Sequence, residues 1–409
     1  MSESVRMVSF QPLVLSVPAG QHGLVIKDDV VAPSIAWLRA GIAVAAVGWG
    51  ANQFAPLLLE YRSRLGLSAA TVEATFGLYA LGLIPGLLLG GPVSDRFGRR
   101  PVLLPALAMS LLGTGLLIAG GWSPGWLFAG RLVAGVASGT AFSSGAAWIK
   151  ELSPAGGPRR ITIAMTTGFA AGPLVAGMLA QWAPAPAVLP YVPHLLLTLV
   201  AVPLVLRTPD TLPRRTSVRL RLPDAVHERR FRTVVVPLAP WVFGSASIAL
   251  AYLPGLVAGR LGGHALVFSA VNAMLTALAG ILVQPFARRA HRLVGTASVI
   301  VVAGLLIASA AAATTQPALV VVAGLVLGAG YGCCQVAGLT EVQGLAGPDD
   351  LAGLTAFYQA LSYLGFAAPF VLAALQHAVP PAVLLLTTAA LATLMLAFAT
   401  GATRPRSTR

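Results

Sequence analysis

Apolar residues run along this chain in long stretches, and polar or charged residues fall mostly in the short breaks between them. A helix needs roughly 20 mostly apolar residues to cross about 30 Å of hydrocarbon. Twelve stretches reach that length, at 35–58, 70–92, 101–120, 125–149, 161–182, 187–206, 233–257, 264–287, 293–313, 317–340, 351–375 and 380–401. The pattern predicts an all-α integral membrane protein with twelve spans. Pro184, Pro186, Pro190 and Pro193 crowd the junction of spans five and six. Segment 207–232 is the one long internal connection, so the expected organisation is a tail at 1–34, a six-helix bundle at 35–206, a linker at 207–232, a second bundle at 233–401 and a tail at 402–409. Within the linker, Asp224 is placed to cap a short basic helix running to Arg232, with a plain solvated linker as the favoured reading. The apolar stretch Val8–Val17 is short, contains Pro12 and follows no basic run, so the first residues read as a tail and not a signal peptide.

Composition supports lipid as the solvent. Of the 409 residues, 56% are hydrophobic and 10% charged, against roughly 25% charged in an average soluble domain. A water-soluble fold or a disordered chain requires the opposite balance. The formal charge of +14 would suit nucleic acid or a membrane surface, but its placement argues for topology. With a cytoplasmic N-terminus, the inner segments hold 22 Lys/Arg and the outer loops three (Arg62, Arg64 and Arg260), while Arg39 and Arg131 fall at or inside spans. That asymmetry is the positive-inside rule, and no basic face with interleaved aromatics is left over for nucleic acid. Cys333 and Cys334 are adjacent and build no disulfide framework.

The two halves echo one another. Gly168-Phe169-Ala170-Ala171-Gly172-Pro173 recurs as Gly365-Phe366-Ala367-Ala368-Pro369, and Ala129-Gly130-Arg131-Leu132-Val133 loosely as Ala323-Gly324-Leu325-Val326, both about 195 residues apart. A shared offset is what duplication of a six-helix unit produces, and paired repeats around a mid-membrane site are a transporter architecture.

Between spans two and three lies Gly91-Pro92-Val93-Ser94-Asp95-Arg96-Phe97-Gly98-Arg99-Arg100, a tight turn in which Gly98 can take positive φ. This G-x-x-x-D-R-x-G-R-R pattern closely resembles motif A of the major facilitator superfamily, and with twelve spans in a 6+6 arrangement the resemblance extends over essentially the whole chain. The resemblance implies a latch that ties the halves together on the cytoplasmic side. Asp95 would sit near the N-terminus of span eleven. Arg96, Arg99 and Arg100 would form an ion network with Asp349 and Asp350, and Gly91 would permit close helix contact. The mirror copy, Gln284-Pro285-Phe286-Ala287-Arg288-Arg289, lacks the aspartate, so the latch is expected to be one-sided.

Arg131 stands about six residues, roughly 9 Å, inside span four. A guanidinium at that depth must face protein or water, or snorkel outward. Arg131-x3-Gly135-x3-Gly139 resembles the family's motif B, with Ala134 where glutamine is frequent, and the resemblance implies proton coupling. Gly168-x3-Gly172-Pro173-x3-Gly177 resembles motif C of drug/proton antiporters, with Ala176 in place of a second glycine; as physical chemistry it is a bend with close packing. Candidates for the cavity wall are Asn52, Gln53, Tyr252, Asn272, Tyr331, Gln335, Tyr358, Gln359 and Tyr363, since such groups find no partner in lipid, with hydrogen bonding between helices the favoured reading for any one from Tyr252 on. Trp37, Trp122, Trp126 and Trp182 suit interface belts. No acidic residue lies near mid-depth, so coupling would draw on Glu60 or Glu73, at the outer ends of spans one and two, with Arg131. The only lysines, Lys27 and Lys150, sit in no phosphate loop and the six histidines form no ligand pair, so neither ATP, a metal nor a cofactor is expected.

Together these features point to a secondary transporter, not an enzyme. It is expected in the inner membrane as a monomer with both termini cytoplasmic. The expected cargo is a small neutral or apolar organic solute, exported with protons as a candidate driving ion. Uptake of a sugar or small metabolite is the alternative, and a non-transporting membrane sensor or enzyme a further one.

Overall fold

The computed structural model describes residues 35–154, 156–211, 223–347 and 350–402. The expected tails, most of the linker and Asp349 lie outside the described residues. Twelve helices are long and apolar enough to cross a membrane. In order they are Ala36–Leu65, Ala69–Phe97, Arg99–Ala119, Pro124–Leu152, Gly157–Trp182, Leu189–Leu206, Phe231–Arg260, Ala265–Ala287, Leu293–Thr314, Pro317–Leu345, Leu351–Leu375 and Pro381–Ala399. They are called spans one to twelve below, and the protein is a multi-pass membrane protein. The end of the bundle holding residues 97–99, 153–154, 207–211 and 223–230 is called the basic end, the opposite one the far end.

Local chemistry marks the helix boundaries. Ser68 accepts from Thr71 N at 3.0 Å to cap span two, and Pro124 opens span four, where a missing N–H costs nothing. Interior prolines 85, 92, 173 and 203 are tolerated because neighbouring helices resatisfy the freed carbonyls. Span one is interrupted by a 3-10 turn at Ala55–Leu57 around Pro56, and span seven carries a π-helical turn at Ile248–Tyr252 just before Pro254.

Spans one and seven run farther toward the far end than their apolar stretches predict, to Leu65 and Arg260. The expected basic helix from Asp224 to Arg232 is corrected: Asp224–His227 forms a single 3-10 turn without a side-chain cap. Arg230 instead pairs with Glu341 at 2.7 Å, fixing the start of span seven to the end of span ten.

Polarity is inverted relative to a soluble protein. Leu81, Val299 and Leu394 are 65%, 70% and 71% exposed, whereas Gln53, Thr75, Thr198 and Asn272 are wholly buried. Trp122, Trp126 and Trp182 stand exposed at the far end. The buried apolar residues form two clusters, one drawn mainly from residues 40–205 and one from 225–399. Ala251, Tyr363 and Phe366 of the second half belong to the first cluster, so these residues stitch the halves together.

Glycines set how closely the spans approach. A Cβ on Gly135 or Gly139 of span four would run into Tyr79 O or Leu83 O of span two, and one on Gly82 or Gly86 into Leu132 O or Val136 O. The same interlock recurs between spans ten and eight, where Gly328 and Gly332 abut Thr276 O and Gly280 O. Gly135 and Gly139 precede Gly328 and Gly332 by 193 residues. At that offset Gly324 occupies the place of Arg131, and it lies against the Asn272 side chain. The close approach expected at Gly91 falls instead at Gly90, which is packed on Thr140 and Ser143.

Candidate functional site

Arg131 is 1% exposed, about 10 Å in from the start of span four. The glycines one and two turns later let spans two and four touch, bringing their backbones within reach of its guanidinium. Arg131 Nη1 donates to Ala51 O at 3.0 Å, where span one breaks, while Nε and Nη2 donate to Thr75 O and Phe76 O at 3.4 Å. The group also lies over the rings of Tyr79, Phe54 and Phe76, with centroids at 4.5, 4.7 and 5.7 Å. The charge is therefore held inside and does not snorkel to the interface. Among the described residues Arg131 has no carboxylate partner, Glu60 and Glu73 included. Carbonyl dipoles and ring faces carry the charge, each desolvated cation–π contact worth about 2 kcal/mol and each charge-assisted hydrogen bond roughly 1.5–3 kcal/mol.

Beside it sits a polar network that the sequence reading missed. His194 of span six, wholly buried, contacts Ser110 and Thr198 through Nε2 at 3.2 and 3.1 Å and Thr114 through Nδ1 at 2.9 Å. Gln53 donates to Thr114 Oγ1 at 3.3 Å, and Gly50 leaves room for the imidazole. The legible signal was a histidine inside an apolar run with threonine four residues on. Tyr61 and Tyr191 share a 2.6 Å hydrogen bond in the same half. Gln53 thus braces the first half instead of lining a cavity.

A central cavity of about 60 Å³ lies between the halves. Asn52, Tyr79, Phe243, Tyr331, Tyr363 and Phe366 form its walls together with Pro173, and among the described residues no charged one lines it. Phe243 stacks on Tyr363 at 4.2 Å, and Phe366 meets Phe76 at 5.1 Å and Tyr79 at 5.9 Å. Tyr79 therefore has one neighbour in the cavity and one in the guanidinium behind it. Of the candidate residues, Asn52 and Tyr331 line this cavity; Asn272 does not, donating instead to Ala249 O at 2.8 Å. Tyr358 donates to Cys334 O at 3.1 Å inside the second half. Gln335 has a buried Oε1 without a partner, and Gln359 is half-buried outside the cavity walls.

The far end is pinned. Gln181 of span five donates to Gly263 O at 2.8 Å and accepts from Val267 N at 3.3 Å, so one amide clamps the turn that starts span eight. Gly168 and Gly172 seat span five on span one, while Gly177 seats it on Ala270 of span eight. Tyr252 turns away from the central cavity into a second one of about 370 Å³, shared with Glu73, Arg62, Gln376 and His377, and its hydroxyl donates to Gln376 at 3.4 Å. Glu60 pairs loosely with Arg64 at 3.9 Å. With two hydrogen bonds of about 1 kcal/mol each removed, Gln181→Ala should label a cysteine placed at the wholly buried Ala270 roughly tenfold faster with a membrane-impermeant maleimide. An unchanged rate would show that the clamp does not hold the far end.

At the basic end the latch differs from expectation. Gly98 adopts φ +101°, and Arg99 pairs with Asp95 and Glu151, both at 2.7 Å. Arg99 N also donates to Asp210 at 2.9 Å. Arg100 donates to Leu206 O at 3.2 Å and Arg96 lies over the Phe97 ring. Among the described residues Asp350 begins span eleven without a side-chain cap, and Arg99 takes Glu151 and Asp210 of its own half as partners. Carboxylates remote in sequence, at the end of span four and after span six, could not be chosen by spacing.

Curated relatives resemble parts of the chain. A gallate transporter of Pseudomonas putida is 34% identical over 143 residues, 35% of this chain and 30% of that one. A bicyclomycin resistance protein homolog of Haemophilus influenzae is 29% identical over 139 residues, covering 34% and 35%. The matched segments thus span about a third of these relatives' length. The crystal structure of a D-xylose-proton symporter superposes with a TM-score of 0.68 at 17% identity, covering 89% of this chain and 96% of that chain, which shows the shared fold. The sequence profile of the Major Facilitator Superfamily matches residues 40–370, and the chain belongs to that family.

Proposed function

We propose that this protein is a secondary transporter that exports a small uncharged aromatic or apolar solute by rocking its two halves about the central cavity. One observation carries the reading: the cavity between the halves is walled by aromatic rings, and among the described residues its polar side chains are Asn52, Thr276 and the tyrosines. A carboxylate or ammonium entering it would lose its hydration with no opposite charge to receive it, at a cost of several kcal/mol. A sugar would find too few hydrogen-bonding groups for its hydroxyls. The roughly 60 Å³ left free holds only a water or two, so a ligand must wait for the halves to part, as alternating access requires. Family membership supports transport over catalysis. The basic end is taken as cytoplasmic, from the placement of arginines.

The relatives' names divide between a resistance protein and a gallate transporter, and the uncharged cavity supports a cargo without formal charge. In proteoliposomes, a phenol should be bound and moved at least tenfold better than the matching benzoate at neutral pH. Phe243→Ala or Tyr331→Ala should weaken phenol binding by roughly tenfold, since aromatic contacts are worth about 1 kcal/mol beyond area. Equal handling of phenol and benzoate would remove the proposed selectivity, and solute moving only toward the basic end would favour the uptake reading.

A further inference from the structure

We infer that Glu73 is a proton-binding site whose occupancy closes the far end. The inference rests on the alternating-access reading above but not on any particular cargo. Glu73 is 6% exposed, and its buried Oε2 has no hydrogen-bond partner. The residue lines the far-end cavity at the seam between the halves, and no ion pair joins it to Arg62 among the described residues. Glu151 is paired with Arg99 and Glu341 with Arg230. Glu73 is buried with no such partner, and it sits where the halves must separate.

The groups facing it come from every element around the cavity. Arg62 reaches across from the end of span one, lying 3.9 Å from where a Cβ on Gly255 of span seven would be. Tyr252 comes from span seven, its hydroxyl committed to Gln376, and exposed His377 follows span eleven. When the far ends part, the Glu73 carboxylate stands in water; when they close, it is enclosed without a partner. Enclosing a carboxylic acid costs far less than enclosing a carboxylate, so a proton from far-side water joins Oε2 as the halves close and returns to that water as they open. Closure and proton uptake are then linked, and acid on the far side favours the closed form. Glu73 lies two and three residues before Thr75 and Phe76, whose carbonyls hold Arg131, so the same stretch of span two joins this site to the buried guanidinium.

Spin labels at Ser63→Cys and Ala378→Cys, on the two halves at the far end, would report the distance in nanodiscs with Cys333 and Cys334 replaced by serine. The closed-to-open ratio of the otherwise native protein should rise by up to tenfold per unit fall in pH within its titration window. Glu73→Gln, isosteric and permanently neutral, should stay closed throughout while eluting as a single folded species. A pH-independent distance without further substitution, an unaltered response in Glu73→Gln, or a response lost instead in His377→Ala would each overturn the assignment. Phenol flux measured in parallel reads the proposed cargo separately: its absence beside an intact pH response would sink that cargo and leave this inference standing.

Discussion

Replacing Arg131 by alanine is expected to abolish solute flux and to destabilise the protein by roughly 3 kcal/mol, through the void left in the core and the carbonyls left unpaired. The guanidinium fills the space enclosed by Phe54, Phe76 and Tyr79 and bonds carbonyls from spans one and two. Truncation therefore removes packing as well as charge. Lysine keeps the charge but offers a point donor in place of a planar fork, so Arg131→Lys should fall between wild type and alanine in thermal unfolding. Methionine separates the two roles. Replacing a buried charge by an apolar group of similar volume is often neutral for stability, so Arg131→Met should melt near wild type and still fail to transport if the charge serves the cycle. Unfolding of Arg131→Ala at the wild-type temperature would show that the carbonyl cradle contributes nothing, and full flux in Arg131→Met would remove the charge from the mechanism.

The second large effect is expected at Gly135. A Cβ there meets Tyr79 O, a backbone atom that no side-chain rotation can move. Gly135→Val must push spans two and four apart, and the neighbouring interlocks at Gly82, Gly86 and Gly139 would loosen together. Overpacking commonly costs 1–3 kcal/mol; with backbone against backbone along two turns, we expect about 3 kcal/mol or more and loss of the monodisperse peak in size-exclusion chromatography. Gly115→Val is the internal control, since nothing lies within 4 Å of a Cβ at that position. Gly328→Val, abutting Thr276 O, should be comparably damaging although no arginine is nearby, which separates helix approach from loss of the guanidinium's partners. A well-behaved Gly135→Val protein would show that the interlock is dispensable.

The twelve spans were legible because lipid imposes a one-dimensional rule: each crossing must satisfy its own backbone and present about 20 apolar side chains. The repeat was partly legible. The echoes at 129 and 323 and at 168 and 365 place related segments, but the structure matches the glycine interlocks at an offset of 193, which aligns Arg131 with Gly324. Single residues inside spans were harder. Asn52, Gln53 and Asn272 are alike as amides in apolar runs, yet one lines the cavity, one braces His194's neighbour Thr114 and one holds Ala249 O.

The identity of the solvent, the number of crossings and the basic end's charge were properties of the sequence alone, since each follows from local composition along one axis. Which face of each helix turns inward is a two-body question, decided where backbones can approach. Only the folded chain therefore placed Arg131 among carbonyls, matched Arg99 with Glu151 and Asp210, and left Glu73 unpaired at the seam. Those partners lie tens of residues apart or more along the chain, and helix packing, not spacing, brings them within bonding distance.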